Sequence, residues 1–145
     1  MTWTLPPAPT WTFGPVTRTD IVRYQGASGD FNPIHHDDAF AQRAGYPTAF
    51  SAGMFQAGLL ASYASRWLGA RNLRSYRMRF REQVWPGDTL DFVGSVTEVS
   101  ESVDALHALV ALECRRPTGA AAITAVARFE MSAHSVAGDA QPASA

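Results

Sequence analysis

The stretch SAGMFQAGLLASYASRWLG, residues 51–69, is apolar or small on nearly every face of the helix it would form. A surface helix shows one apolar stripe, so this pattern predicts a helix buried on all sides. Ala57, Gly58, Ala61, Ser62, Ala64 and Ser65 keep it thin, which lets a sheet wrap closely around it. Its length is marginal for a membrane span, and Gln56 and Arg66 argue against one.

Downstream the period changes to two. SYRMRFREQVW, residues 75–85, alternates Arg77, Arg79 and Arg81 against Met78 and Phe80, which predicts a strand with one wet and one core face. A turn is expected at Pro86–Asp88. Three more strands follow at 89–100, 105–116 and 121–132, joined by short polar turns. Upstream, TRTD begins a helix capped by Thr17, with Asp20 as capping-box partner and an end near Ser28–Gly29. Asp37 or Asp38 caps a short helix that stops at Gly45. One buried helix followed by an antiparallel meander is an α+β arrangement, a curved sheet around a single central helix. Residues 1–14 are expected to be an extended arm, 15–132 one domain, and 133–145 a flexible tail.

The bulk numbers agree with one globular domain. The 145 residues are 46% hydrophobic and 17% charged, enough to bury a core and unlike a disordered chain. A net charge of −1 gives no reason to expect nucleic acid or an anionic membrane as partner. All the side-chain cations other than histidine are arginine. The single cysteine, Cys114, excludes an internal disulfide and reads as a buried thiol in a reducing compartment. The proline-rich N-terminus has no apolar core of a secretory signal. A cytoplasmic protein is expected.

Chemistry concentrates in SGDFNPIHHDD, residues 28–38, with three aspartates and two histidines around an Asn-Pro bend. Pro33 fixes its own φ and pushes Asn32 out of the helical region, so this segment is not an α-helix. The stiff bend can bring Asp30 and His35 over one small site as an acid/base pair, with Asn32 tying the bend down. The plainer alternative is a hydrogen-bonded turn without a catalytic role. His35, His36, Asp37 and Asp38 are suitable metal ligands by type. Adjacent residues seldom converge on one ion, however, and no distant Cys or His pair completes a tetrahedral set, so no metal is expected.

The run Tyr24-Gln-Gly-Ala-Ser-Gly-Asp-Phe-Asn-Pro-Ile-His35 resembles the signature of the MaoC-like, (R)-specific enoyl-CoA hydratases. The likeness extends to the helix beginning near SAGM and to VWPGDTL at 84–90, and covers roughly residues 15–131. It implies a hot-dog fold, assembled as dimers, and reversible hydration of a trans-2-enoyl-CoA to a (R)-3-hydroxyacyl-CoA. Asp30 and His35 would activate water, Asn32 would hold His35, and the backbone N–H of Gly53 at the helix start would receive the oxyanion. Many relatives carry His-Gly where this chain has Ala52-Gly53, so pocket shape is expected to differ while the backbone donor is kept. No metal or redox cofactor is implied, coenzyme A being part of the substrate. Arg77, Arg79 and Arg81 either hold coenzyme A phosphates or form a solvated strand face. A hot-dog thioesterase, a non-catalytic acyl-CoA-binding chain and the partner subunit of a heteromeric hydratase remain as alternatives.

Overall fold

A computed structural model describes residues 4–132; the tail expected at 133–145 lies outside the described residues. Five strands form one antiparallel sheet in the order β1-β3-β4-β5-β2. They are β1 (Trp11–Phe13), β2 (Leu73–Phe80), β3 (Leu90–Glu101), β4 (Ala105–Arg115) and β5 (Ala121–Ser132). Among the described residues the α-helices are α1 (Arg18–Ser28), α2 (Asp38–Arg43) and α3 (Gly53–Leu68). The sheet curves over α3, which is the hot-dog arrangement. Among the described residues, no helix is long and apolar enough to cross a membrane.

Of the period-two segments, β4 alternates sides strictly, β5 does so from Ala125 onward, and β3 does so only at Leu90–Phe92 before its register shifts between Val96 and Glu98. Leu106, Ala108, Val110, Leu112 and Cys114 of β4 are all buried and meet α3, while the residues between them face outward. Ala122, Ala125, Ala127, Phe129 and Met131 do the same from β5. On α3 the buried stripe is Gln56, Ala57, Leu60, Tyr63, Ala64, Trp67 and Leu68. Met54, Gly58, Ser62 and Arg66 on the opposite side are exposed. This corrects the expectation of burial on every face: a five-stranded sheet covers one side of a helix, and the small residues opposite leave that side open. At Gly94 of β3 the sheet lies close against helix side chains. A methyl group there would lie 2.8 Å from Trp67 Cζ3 and 3.2 Å from Tyr63 Cε1.

The N-terminal segment is built into this core. Trp11–Phe13 pairs with Leu90–Phe92 at the sheet edge, and Trp11 packs on Phe92 at 4.8 Å between centroids. Further upstream, Tyr63 Oη donates to the Pro9 carbonyl at 2.9 Å and Trp67 Nε1 to the Pro6 carbonyl at 2.8 Å. Pro6 and Pro9 offer a carbonyl and carry no N–H of their own, so each accepts from the helix without adding a donor.

Two expected strand features differ. The strand from Ser75 starts earlier, at Leu73, and ends at Phe80 rather than Trp85. At its end the N–H groups of Arg81 and Glu82 both turn to the Ala122 carbonyl, and the ladder stops. Phe80 therefore does not join Met78 in the core. It is 55% exposed and lies across the start of α3, its ring 2.8 Å from where a Gly53 Cβ would stand.

Candidate active site

Helix α1 delivers the bend. Thr17 and Asp20 form a reciprocal capping box, and Gly29 ends the helix in the left-handed region at φ 75°. The Thr17 hydroxyl and N–H both donate to Asp20 and hold its carboxyl below the usual range. Past Gly29 the chain makes a 3₁₀ turn at Pro33–His35, with Pro33 opening it as a residue that needs no N–H partner. Asn32 Oδ1 accepts the Ile34 N–H at 3.1 Å, and its carbonyl accepts the His35 N–H at 3.1 Å.

Asn32 therefore fixes His35 through the backbone, while the imidazole is held elsewhere. His35 Nδ1 lies 2.8 Å from the Phe50 carbonyl oxygen. A carbonyl only accepts, so Nδ1 carries a proton and Nε2 is the nitrogen turned outward. That Nε2 stands 3.7 Å from Asp30 Oδ2. The His35 side chain is 11% exposed and Asp30 42%, a sheltered ring beside a wetter carboxyl. Phe50 meets the imidazole edge-on at 5.3 Å, and Tyr46 and Trp85 pack against Phe50 in turn.

A cleft of about 380 Å³ reaches Asp30 of this pair. Asp30, Ser51, Gly53, Met54, Gln56 and Phe80 line it, with Arg81, Glu82 and Gln83 along one side. Gly53 is the first residue of α3, where amide groups have no partner inside the helix. Ala52 contributes no side-chain cap, so nothing from that residue covers the helix start. The structure thus brings Asp30, His35 and Gly53 to one place. Arg81 lines the same cleft, and Arg77 and Arg79 continue from it along an adjoining groove with Met78, Thr124 and Val126. All three arginines are exposed on the edge strand or just past its end.

The remaining acids and His36 point to separate partners. His36 Nδ1 contacts Gln25 Oε1 at 3.1 Å, and Asp37 caps α2 by accepting the Phe40 N–H at 3.0 Å. Asp38 accepts the Thr48 hydroxyl at 2.5 Å, the Ala49 N–H at 2.9 Å and the Arg18 guanidinium at 3.0 Å. These bonds, the Thr48 hydroxyl foremost, bring its carboxyl down to about 2. Among the described residues no group of three or more histidine, cysteine or acidic side chains is placed to hold a metal.

Sequence reasoning missed two contributors. Gln25 is 3% exposed, and its Nε2 donates to the carbonyls of Asp30 at 2.8 Å and Asn32 at 3.2 Å. The available signal was a polar residue four positions after Ile21, where the buried stripe of α1 calls for an apolar one. Phe50 acts through its carbonyl, an atom every residue has, and so left no signal.

A sheet around one helix, with an acid and an imidazole beside the helix start, defines a hot-dog protein of the hydratase and dehydratase kind. The MaoC like domain model matches residues 10–112, and the chain belongs to that family. It is 37% identical over 91 residues to 3-hydroxyacyl-thioester dehydratase Y of Mycobacterium tuberculosis, an alignment covering 60% of this chain and 31% of that one. It is 31% identical over 87 residues to 3-hydroxybutyryl-CoA dehydratase of Methylorubrum extorquens, covering 58% and 55%. The chain thus spans 31% and 55% of the length of these two relatives. Among solved structures, the ChsH1-ChsH2 complex from Mycobacterium tuberculosis contains a chain matched at TM-score 0.76 and 26% identity, over 90% of this chain and 99% of that one. The (R)-hydratase from A. caviae involved in PHA biosynthesis matches at TM-score 0.75 and 22% identity over 88% and 97%, which shows the shared fold.

Proposed function

We propose that this chain reversibly hydrates a trans-2-enoyl-CoA to a (R)-3-hydroxyacyl-CoA. The observation that carries the reading is the Asp30–His35 pair, 3.7 Å apart, with Asp30 lining the cleft that reaches Gly53 at the start of α3. Asp30 and His35 Nε2 hold a water between them and take a proton from it as its oxygen bonds to C3. The π electrons of the double bond move toward the thioester, and charge gathers on the carbonyl oxygen, which the Gly53 N–H receives. A proton returned to C2 completes the product. The elements of water add across one bond, so the balance calls for no metal or redox cofactor, and coenzyme A serves as the handle. Met54 and Phe80, both half exposed at the cleft, offer apolar surface to the acyl chain. Arg81, Arg79 and Arg77 lead outward as a row of cations for the coenzyme's phosphates.

We take the working form to be a dimer of hot dogs, since β2 stands at the sheet edge with an unpaired side. A cytoplasmic setting fits a free, buried Cys114 thiol. A second reading, a partner subunit in a heteromeric hydratase, is favoured by the likeness to a chain of the two-component ChsH1-ChsH2 complex. The test is loss of enoyl-thioester absorbance across short, medium and bulky enoyl-CoAs, beside Asp30→Asn and an assay for released thiol. Rapid loss by the wild type and failure of the variant support the hydratase. Thiol release without hydration supports a thioesterase. No turnover by a folded chain, restored by a related subunit, supports the heteromer.

A further inference from the structure

The proposed reaction uses Asp30, His35 and the Gly53 amide and leaves one polar group of the cleft without a role. Gln56 lies one turn after Gly53 on α3, on the same helical face, and lines the same cleft. It is 2% exposed, in a buried stripe otherwise formed by Ala57, Leu60, Tyr63, Ala64, Trp67 and Leu68. A buried primary amide costs free energy unless its hydrogen bonds are made. One of them is made: Ser51 Oγ, on a residue itself 2% exposed, donates to Gln56 Oε1 at 2.7 Å. Ser51 is in turn pinned by its N–H, which donates to the Val84 carbonyl at 2.8 Å. With Oε1 held toward Ser51, the NH₂ end of the amide faces away from it. Nε2 has no acceptor among the described residues, yet no polar side-chain atom there is both sealed from solvent and unpaired. Its hydrogens therefore open into the cleft.

We propose that Gln56 Nε2–H donates to the thioester carbonyl oxygen together with the Gly53 N–H. The enolate then forms between a backbone donor and a side-chain donor whose orientation Ser51 sets. This deepens the hydratase reading and rests on it. Gln56 neither gains nor loses a proton in the cycle. Water oxygen bonds to C3, charge rises on the carbonyl oxygen between the two donors, and it falls again as C2 takes its proton. A donor aimed in advance at that oxygen acts more on the transition state than on the bound substrate.

The experiment compares Gln56→Glu, Gln56→Leu and the pair Ser51→Ala/Gln56→Leu with the wild type. Gln56→Glu keeps the shape and an acceptor for Ser51 and removes the donor where its carboxyl is ionised, while Gln56→Leu removes it outright. The double variant removes both polar partners, so no buried hydroxyl is stranded. The expected result is a kcat lower by about 100-fold in Gln56→Leu, in the double variant and, where its carboxyl is ionised, in Gln56→Glu, with KM changed by less than about threefold. A second readout uses a conjugated dienoyl-CoA bound to Asp30→Asn, where turnover is stopped. Its absorption should shift to longer wavelength, as a polarised carbonyl requires, and the shift should vanish when Gln56→Leu is added. Unchanged kcat in Gln56→Leu and in the double variant, with an unchanged shift when Gln56→Leu is added and wild-type activity intact, overturns the Gln56 assignment alone. A wild type that neither turns over nor binds any enoyl-CoA overturns the hydratase reading and this assignment with it.

Discussion

The Phe50 carbonyl stands 2.8 Å from His35 Nδ1, and this single contact decides which imidazole nitrogen faces Asp30. Fifteen residues separate the two, so the tautomer depends on how the segment before α3 lies against the 3₁₀ turn. A second backbone bond, Phe50 N–H to the Ile34 carbonyl at 3.4 Å, joins the same segments.

A variant can separate the two nitrogens. In His35→Asn the side-chain amide can still donate to the Phe50 carbonyl, but nothing takes the place of Nε2. Hydration should fall by about 10²-fold or more while the melting temperature stays within a few degrees. Steady-state rates and a thermal melt on the same sample check it. Full activity in His35→Asn would remove the imidazole from the mechanism.

Asp38 positions the segment that carries Phe50. It accepts from Thr48 and from the Ala49 N–H, the residues just before Phe50, and Arg18 of α1 closes on it. Its folded carboxyl, at about 2, lies below the unfolded value near 3.8. The stability it contributes is therefore present above pH ~4 and lost as pH falls through about 2. Asp38→Asn should melt lower than the wild type at neutral pH, with the gap closing in strong acid. Melting temperatures across that range test this, and a gap independent of pH would show that the charge is not what holds the segment.

Gly94 is where the sheet touches α3. Adding a methyl drives it against Trp67, Leu112 and Tyr63, each within 3.2 Å of the new carbon. Gly94→Ala should lose about 1–3 kcal/mol by overpacking, read from denaturant midpoints. Pairing it with Trp67→Phe, which shortens the ring in the way, should recover part of the loss.

Cys114 lies inside β4, and burial pushes its thiol up to about 12, with Asp91 adding to the shift. The thiolate is the reactive form. An aromatic disulfide reagent at pH 8 should leave the folded chain unlabelled and label one thiol per chain in denaturant. Prompt labelling of the folded chain would mean that β4 opens readily.

Of the strands after residue 88, β4 was the most legible because it alternates strictly over eleven residues, whereas the register shift of β3 between Val96 and Glu98 left no mark in the pattern. The capping box at Thr17 was legible because its chemistry is local. Trp11–Phe13 was not: three residues beyond a proline-rich run have no period to read, and they become a strand only because Phe92 lies opposite. Phe80 follows the alternation in sequence and departs from it in space because its strand ends beside the helix start. At the site, Asp30 and His35 stood out by their residue types beside the Asn-Pro bend, and Gly53 was marked only by the family resemblance. Phe50 could not, since it contributes a backbone atom, and Gln25 and Gln56 show themselves only as polar residues set where a helix buries its side.

Helix α3 has two ends with different duties. Its last turns carry Tyr63 and Trp67, fastened to the carbonyls of Pro9 and Pro6, and its first turns carry Gly53 and Gln56. Anchorage and chemistry are thus kept about two turns apart on one rod. A lineage of such chains can trade side chains around the first turn, and with them the shape of the cleft, while the far end keeps the rod in place.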